Sequence, residues 1–169
     1  MSILIPVYST GVTMNEVPDH LAFYIEMGNC KQKCKGCHSP HLWNTVDNIM
    51  SIEELEFLAY DAINKGANAI VLMGGTTNDI PYPHLVRLID KLSQIAPVCL
   101  YSGSDDYKQD MFIAITTQLT WLKTGSYQEE LGGLSSKTSN QKFYRKVYID
   151  YPNGFKLLTL IDETYRFRT

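Results

Sequence analysis

Four short apolar runs, separated by segments that carry helix signals at their ends, constrain this chain more than any other feature. The runs are "LAFYIEM" (Leu21 to Met27), "AIVLMG" (Ala69 to Gly74), "VCLYSG" (Val98 to Gly103) and "LTWLKTG" (Leu119 to Gly125). They are rich in β-branched or aromatic residues and give way to glycine or polar residues, as buried strands do. Between the first two, "SIEELEFLAYDAINKG" opens with Ser51 as N-cap and Glu54 three residues on. It carries an apolar stripe through Leu55, Leu58, Ala59 and Ile63 and closes on Lys65-Gly66. "PYPHLVRLIDKLSQIAP" repeats the device, with Pro83 near its start, Leu85, Leu88, Ile89 and Leu92 on one face, and Pro97 beyond its end. A third helix falls between Asp105 and Thr117. Strands alternating with helices predict an α/β protein with a parallel sheet, whose functional loops gather at the carboxyl ends of the strands. The loop after Met27, "MGGTTND", "YSGSDD" and "TGSYQEE" would then open on one rim.

Beyond the fourth run, "GGLSSKTSNQK" (Gly132 to Lys142) is small and polar, which predicts a long loop or a flexible lid. "FYRKVYIDY" and "FKLLTLIDETYRF" then flank Pro152-Asn153-Gly154, the pattern of a β-hairpin with a tight turn. No repeat or linker divides the chain. The expectation is one domain over residues 1–169, with a core at about 21–127, a late polar loop at 128–142 and a C-terminal hairpin at 143–169. A chain of 169 residues can bury a core without disulfides or structural metal, which frees its cysteines for chemistry. A net charge of -3 provides no field to hold nucleic acid or an anionic membrane, so neither is expected as a partner. The N-terminus has no basic targeting segment, its apolar run stops at Pro6, and no stretch approaches the roughly 18 apolar residues of a membrane span. A cytoplasmic protein is expected, and in that reducing compartment clustered cysteines more often bind metal or do redox chemistry than form disulfides.

Three of the four cysteines lie in "CKQKCKGCHSPHLW" (Cys30 to Trp43). Its "CKGCH" matches a covalent haem site through Cys34, Cys37 and His38, and Cys34 with Cys37 also matches a thioredoxin-like pair. Both readings leave Cys30 unused. Zinc could take the three cysteines with His38 or His41, although structural zinc usually joins two ligand pairs far apart in the chain. The remaining reading is an iron–sulfur cluster on three thiolates spaced C-x₃-C-x₂-C, which leaves one iron open to another molecule. Lys31, Lys33 and Lys35 lie between the thiolates, where they offset negative charge or simply decorate a solvated loop.

The spacing Cys30-x₃-Cys34-x₂-Cys37 directly after a strand resembles the signature of the radical S-adenosylmethionine (SAM) superfamily. More narrowly, residues Leu21 to Arg145 resemble the activating proteins of anaerobic ribonucleotide reductase. Gly36, Cys37 and Trp43 fit that family's cysteine loop, Gly74-Gly75 its Gly-Gly motif, Tyr101-Ser102-Gly103 its aromatic-Thr-Gly element, and Lys137 to Gln141 ("KTSNQ") its late Gly-Ser-Ser-Asn-Gln element. The chain departs from the family in having Thr76 where an acid commonly follows Gly-Gly, with Asp79 as the nearest substitute. It also has Thr124 where the fourth strand typically ends in Asp, and Lys137-Thr138 for the Gly-Ser of the late element.

The resemblance implies a partial open (β/α) barrel of the short radical SAM type, carrying the C-terminal β-hairpin. It implies a [4Fe-4S] cluster on Cys30, Cys34 and Cys37, with S-adenosyl-L-methionine bound near Gly36, His38, Gly74, Gly75, Thr76, Asp79 and Ser102. The implied activity is reductive cleavage of SAM to a 5′-deoxyadenosyl radical, which takes a hydrogen from a glycine Cα of the reductase's glycyl-radical subunit. A flavodoxin- or ferredoxin-like protein would donate the electron, and no catalytic side chain is implied beyond cluster and SAM. The rivals are a small-molecule radical SAM enzyme and a zinc-stabilised binding module. Ser102 has a plainer reading as a locally satisfied hydroxyl, as Gly74-Gly75 has as a simple turn. Cys99 reads as core, His20 and His84 as structural, and Tyr144, Tyr148, Tyr151 and Tyr165 as half-buried hairpin residues.

Overall fold

A computed structural model describes residues 1–44 and 46–168. Eight strands form one open mixed sheet, in the order β3-β1-β2-β4-β5-β6-β7-β8. These are β1 (Leu4–Thr13), β2 (Ala22–Met27), β3 (Ile49–Ser51), β4 (Ala69–Met73), β5 (Val98–Tyr101), β6 (Trp121–Thr124), β7 (Lys142–Asp150) and β8 (Lys156–Asp162). The four apolar runs are the parallel centre: β2 pairs with β4, β4 with β5, and β5 with β6, all parallel. Antiparallel partners extend this centre on both sides, β1 and β3 at one end and the hairpin β7–β8 at the other. The sheet is therefore mixed where the alternation alone predicted a parallel one.

Three helices make the crossovers: α1 (Ile52–Asn64), α2 (Tyr82–Ser93) and α3 (Tyr107–Thr116). α1 begins at a complete capping box, in which the Ser51 hydroxyl accepts from the Glu54 N–H while the Glu54 carboxylate accepts from the Ser51 N–H. All three helices pack on one face of the sheet. Leu55 and Ala59, Leu85, Leu88, Ile89 and Leu92, and Ile113 and Ala114 join Phe23, Ile25, Ile70, Leu72, Val98, Leu100 and Leu122 in a single buried cluster. Alternate strand residues point the other way, as the pleat requires. There Ala22, Ala69, Val71, Cys99, Trp121 and Phe143 meet a thinner cover that includes Val17, Leu134 and Phe167. Cys99 is thus core.

The N-terminal segment differs from expectation. It forms a strand that the alternation did not predict: β1 runs through Pro6, with Ile5 and Val7 buried, and shifts register between Val7 and Ser9. That irregularity and the Pro and Gly within the strand break the alternation by which β1 would otherwise show. The loop with three cysteines consequently follows the second strand in the chain. The hairpin turn falls at Pro152-Asn153-Gly154 as its residues predict. Its tyrosines are less covered than expected, with Tyr148, Tyr151 and Tyr165 exposed and Tyr144 half-buried. No described helix is long and apolar enough to cross a membrane.

Candidate functional site

Loops from the carboxyl ends of all four parallel strands line one cavity of about 150 Å³. The loop after β2 contributes Cys30, Cys34 and Cys37, with Leu42 and Trp43 farther along. β4 and its loop bring Met73, Gly74, Thr77 and Asn78, β5 and its loop Tyr101 and Gly103, and β6 and its loop Lys123 and Tyr127. Gln141, from the late polar loop, completes the wall. Cys37, Met73, Tyr101, Lys123, Tyr127 and Gln141 also border an adjoining hollow of about 380 Å³, which adds His38, Glu16, Leu134 and Phe167.

Backbone bonds hold the cysteine loop against its neighbours. The Cys30 N–H donates to Leu42 O at 2.8 Å, the Lys31 N–H to Thr77 O at 2.8 Å, and the Cys37 N–H to Cys34 O at 3.1 Å. The Cys30 sulfur lies 3.5 Å from Thr77 Oγ1, and the Ser39 N–H points at the Cys37 sulfur at 3.3 Å. All three thiols are free and half-buried. Burial pushes the Cys34 thiol above its ordinary value; the Tyr127 N–H opposes this, and Cys37 and Cys30 add to it. Among the described residues, no three His, Cys, Asp or Glu side chains are grouped so as to hold a single metal ion.

Gly74 and Gly75 turn the chain off β4 with φ of +111° and +124°, a region that favours glycine. A Cβ on Gly74 would come within 2.8 Å of Asn78 Oδ1, and one on Gly75 within 2.8 Å of Leu85 Cδ1. Asn78 fixes this turn: its Oδ1 accepts from the Gly75 N–H at 2.7 Å, and its Nδ2 donates to Met27 O and Gly28 O at 3.0 and 2.8 Å. The buried amide thereby ties the end of β4 to the end of β2, where the cysteine loop starts.

The other expected SAM contacts are spread over several settings. Gly74 is on the cavity wall and His38 on the adjoining hollow, where its ring packs 5.0 Å from that of Tyr127. Gly75 packs beside Leu85, and Gly36 lies beneath the Glu129 side chain. Thr76 and Ser102 are bonded to each other at 2.9 Å, and the buried Ser102 hydroxyl donates to Asp110 at 2.8 Å, so it is satisfied locally. Asp79 is exposed and pairs with Lys31 at 2.9 Å. Lys35 pairs with Glu129 at 3.3 Å, so two of the three loop lysines already face acids. His20 Nδ1–H donates to Pro18 O at 2.7 Å and the ring packs on Trp121.

Lys123, Tyr127 and Asn78 belong to the site but were not singled out in the sequence. A charged residue inside the apolar run "LTWLKTG" was the available signal for Lys123, since lysine is rarely buried without a purpose or partner. Burial outweighs the opposing pull of Cys34, Glu16, Cys37 and Asp110 and brings its ammonium down to about 8. Its Nζ lies 5.7 Å from the Tyr101 ring centroid, and the Tyr101 hydroxyl donates to Glu16 O at 2.5 Å. "KTSNQ" closes the site from behind: Asn140 Nδ2 donates to Ser126 O at 3.0 Å and Gln141 Nε2 to Gly125 O at 3.1 Å. Comparison of the chain with family models, curated proteins and solved structures finds no match.

Proposed function

We propose that the chain is a radical SAM activase, which holds a [4Fe-4S] cluster on Cys30, Cys34 and Cys37 and makes a glycyl radical on anaerobic ribonucleotide reductase. The observation that carries this reading is the meeting of all three thiols with bare Gly74 backbone in one cavity, at the carboxyl ends of four parallel strands. The donor set fits the group. Thiolates suit iron–sulfur clusters, and a cluster takes each thiolate on a different iron, so it asks for three sulfurs around a shared space rather than convergence on one ion. Helices on one face of the parallel centre suit an opened (β/α) barrel better than a doubly wound sheet, which carries helices on both faces.

When bound, the cluster would supply one-electron reductive cleavage of SAM, and the resulting 5′-deoxyadenosyl radical would take the glycine hydrogen. The protein's own part is to bind, orient and shield. Gly74 leaves backbone free for close approach of the methionine end of SAM, and Asn78 keeps that turn fixed relative to Cys30. Lys123 brings positive charge to the wall beside Cys34 and Cys37, which lowers the cost of holding thiolates there. Apolar Leu42, Trp43 and Met73 restrict water. The adjoining hollow widens the mouth beside Cys37, which suits a loop of another protein better than an enclosed small molecule. A flavodoxin- or ferredoxin-like protein is the electron donor expected in this scheme.

Anaerobic reconstitution with iron and sulfide should give a brown protein that converts SAM to methionine and 5′-deoxyadenosine when reduced, and Cys30→Ala should lose both properties while staying folded. A colourless protein with one zinc per chain, unfolding in Cys30→Ala, would instead establish the zinc module. Deuterium passing from a glycine-labelled reductase into 5′-deoxyadenosine would separate the activase from a small-molecule enzyme.

A further inference from the structure

The free edge of β8 carries a self-complementary pattern. Among the described residues, β8 ends the sheet and pairs only with β7. The Tyr151 N–H donates to Phe155 O and the Glu163 N–H to Phe143 O, which fixes the parity of the ladder. Residues 157, 159 and 161 therefore hydrogen-bond to β7, and the backbone groups of Lys156, Leu158, Leu160 and Asp162 face away from the sheet. Edge strands are usually blunted by shortness, proline, bulges or inward charges. The opposite edge obeys this, because β3 has three residues. β8 has seven, and its middle is Leu-Leu-Thr-Leu-Ile, without proline, glycine or charge.

We propose that β8 is a homodimerisation edge, along which two copies pair antiparallel about a two-fold axis at Thr159. In that register Lys156 faces the partner's Asp162, Leu157 the partner's Ile161, Leu158 the partner's Leu160, and Thr159 the partner's Thr159. The outward-facing residues meet only outward-facing residues, so all four on each copy enter the new ladder. Sliding by one residue breaks this parity. Moving the axis to Leu158 or Leu160 keeps parity but sets Lys156 against Leu160, or Asp162 against Leu158. Charge therefore selects the register centred on Thr159, with one ion pair at each end.

Side chains agree with the backbone. Ile149, Leu157 and Ile161 lie exposed on one face of the hairpin, where Ile149 is the cross-strand partner of Leu157. Pairing joins the two sets into one apolar strip across the axis. Lys156 already meets its own Asp150 at 3.3 Å, and Asp162 its own Lys142 at 3.6 Å. The dimer thus continues a row of alternating charge. Such an interface is isologous and closes after two copies.

Sedimentation of the 169-residue chain, which needs no cofactor, tests this apart from the proposed activity. The wild-type chain should be a dimer. Lys156→Glu alone and Asp162→Lys alone place like charges at both ends, and each should weaken the dimer about tenfold or more. An equimolar mixture of the two variants restores opposite charges at both ends and should recover a heterodimer. Leu158→Pro removes an outward N–H without costing the β7–β8 ladder a bond, so it should give a monomer with unchanged circular dichroism. If Leu158→Pro unfolds, the charge pair, which keeps every N–H of the β7–β8 ladder, decides: Asp162→Lys also gives up the bonds from Thr164 N–H and Oγ1, but Lys156→Glu touches neither, and recovery of the heterodimer in the mixture reads charge alone. A wild-type chain that stays monomeric at every concentration, or a dimer indifferent to the charge reversals, would overturn the proposal.

Discussion

Asp110 on α3 is fully buried, and its oxygens accept from Ser102 Oγ at 2.8 Å and Thr124 Oγ1 at 2.5 Å. Thr76 adds a bond to Ser102, so one carboxylate gathers hydroxyls from the ends of three parallel strands behind the cavity. Burial pushes the carboxyl above its ordinary 3.8, and the hydroxyl bonds pull it partly back. A raised value in the folded state means that the folded protein holds this proton more tightly than the unfolded chain. Its stabilising effect is full below 3.8 and is lost as pH rises through the raised value. Asp110→Asn should remove that portion of the pH dependence, read by urea denaturation across the acidic range, since an amide can accept from one hydroxyl and donate to the other. Asp110→Ala should cost about 2 kcal/mol, because it strands buried hydroxyls. Asp110 drew no notice in the sequence; its burial follows from how α3 docks over β6, a contact remote in the chain.

At the scale of elements, α1 shows how strongly local signals can act. Ser51 is both the last residue of β3 and the N-cap of α1, so one hydroxyl marks the junction of strand and helix. Ser51→Ala should lower stability by about 1 kcal/mol, seen as a lower melting temperature with the fold kept. α2 and β2, β4, β5 and β6 were legible for the same reason: periodicity, prolines and glycines report on nearest neighbours in the chain. β1 and β3 were not. β1 carries Pro6, Gly11 and a register shift, and β3 is only three residues long, so neither displays a period. β1 becomes a strand because β2 offers an edge to pair with, and β3 because β1 then offers the next one.

The whole molecule is closed by its C-terminal segment, Thr164–Phe167, which brings Phe167 over the sheet face that bears the hollow. Glu163 anchors it. Its buried carboxylate accepts from Arg145 Nε at 2.7 Å and Arg166 Nη1 at 3.2 Å, and Arg166 also pairs with Asp19 in the β1–β2 connection. Burial alone would push the Glu163 carboxyl up, but the two arginines outweigh it and hold it below its ordinary 4.5. The stability this contributes is present above 4.5 and is lost as pH falls through the lowered value. Glu163→Ala removes the shared acceptor of two partly exposed arginines, which water can still reach, and should cost about 1 kcal/mol by denaturant unfolding. The same variant should loosen Phe167 and raise its exposure to proteolysis.

The sequence by itself determined the alternation of strands and helices, the capped ends of α1, the hairpin turn and the three thiols after one strand, because each arises from residues within a few positions of one another. It also implied that four loops would share a rim, which their common cavity bears out. Only the tertiary structure decided that Lys123, Tyr127 and Asn78 join Cys30, Cys34 and Cys37 there, that Ser102 turns instead to Asp110, and that Asp79 turns out to Lys31. Those outcomes depend on strand order and register, which set the face each side chain takes and which distant loops meet. No local period encodes them.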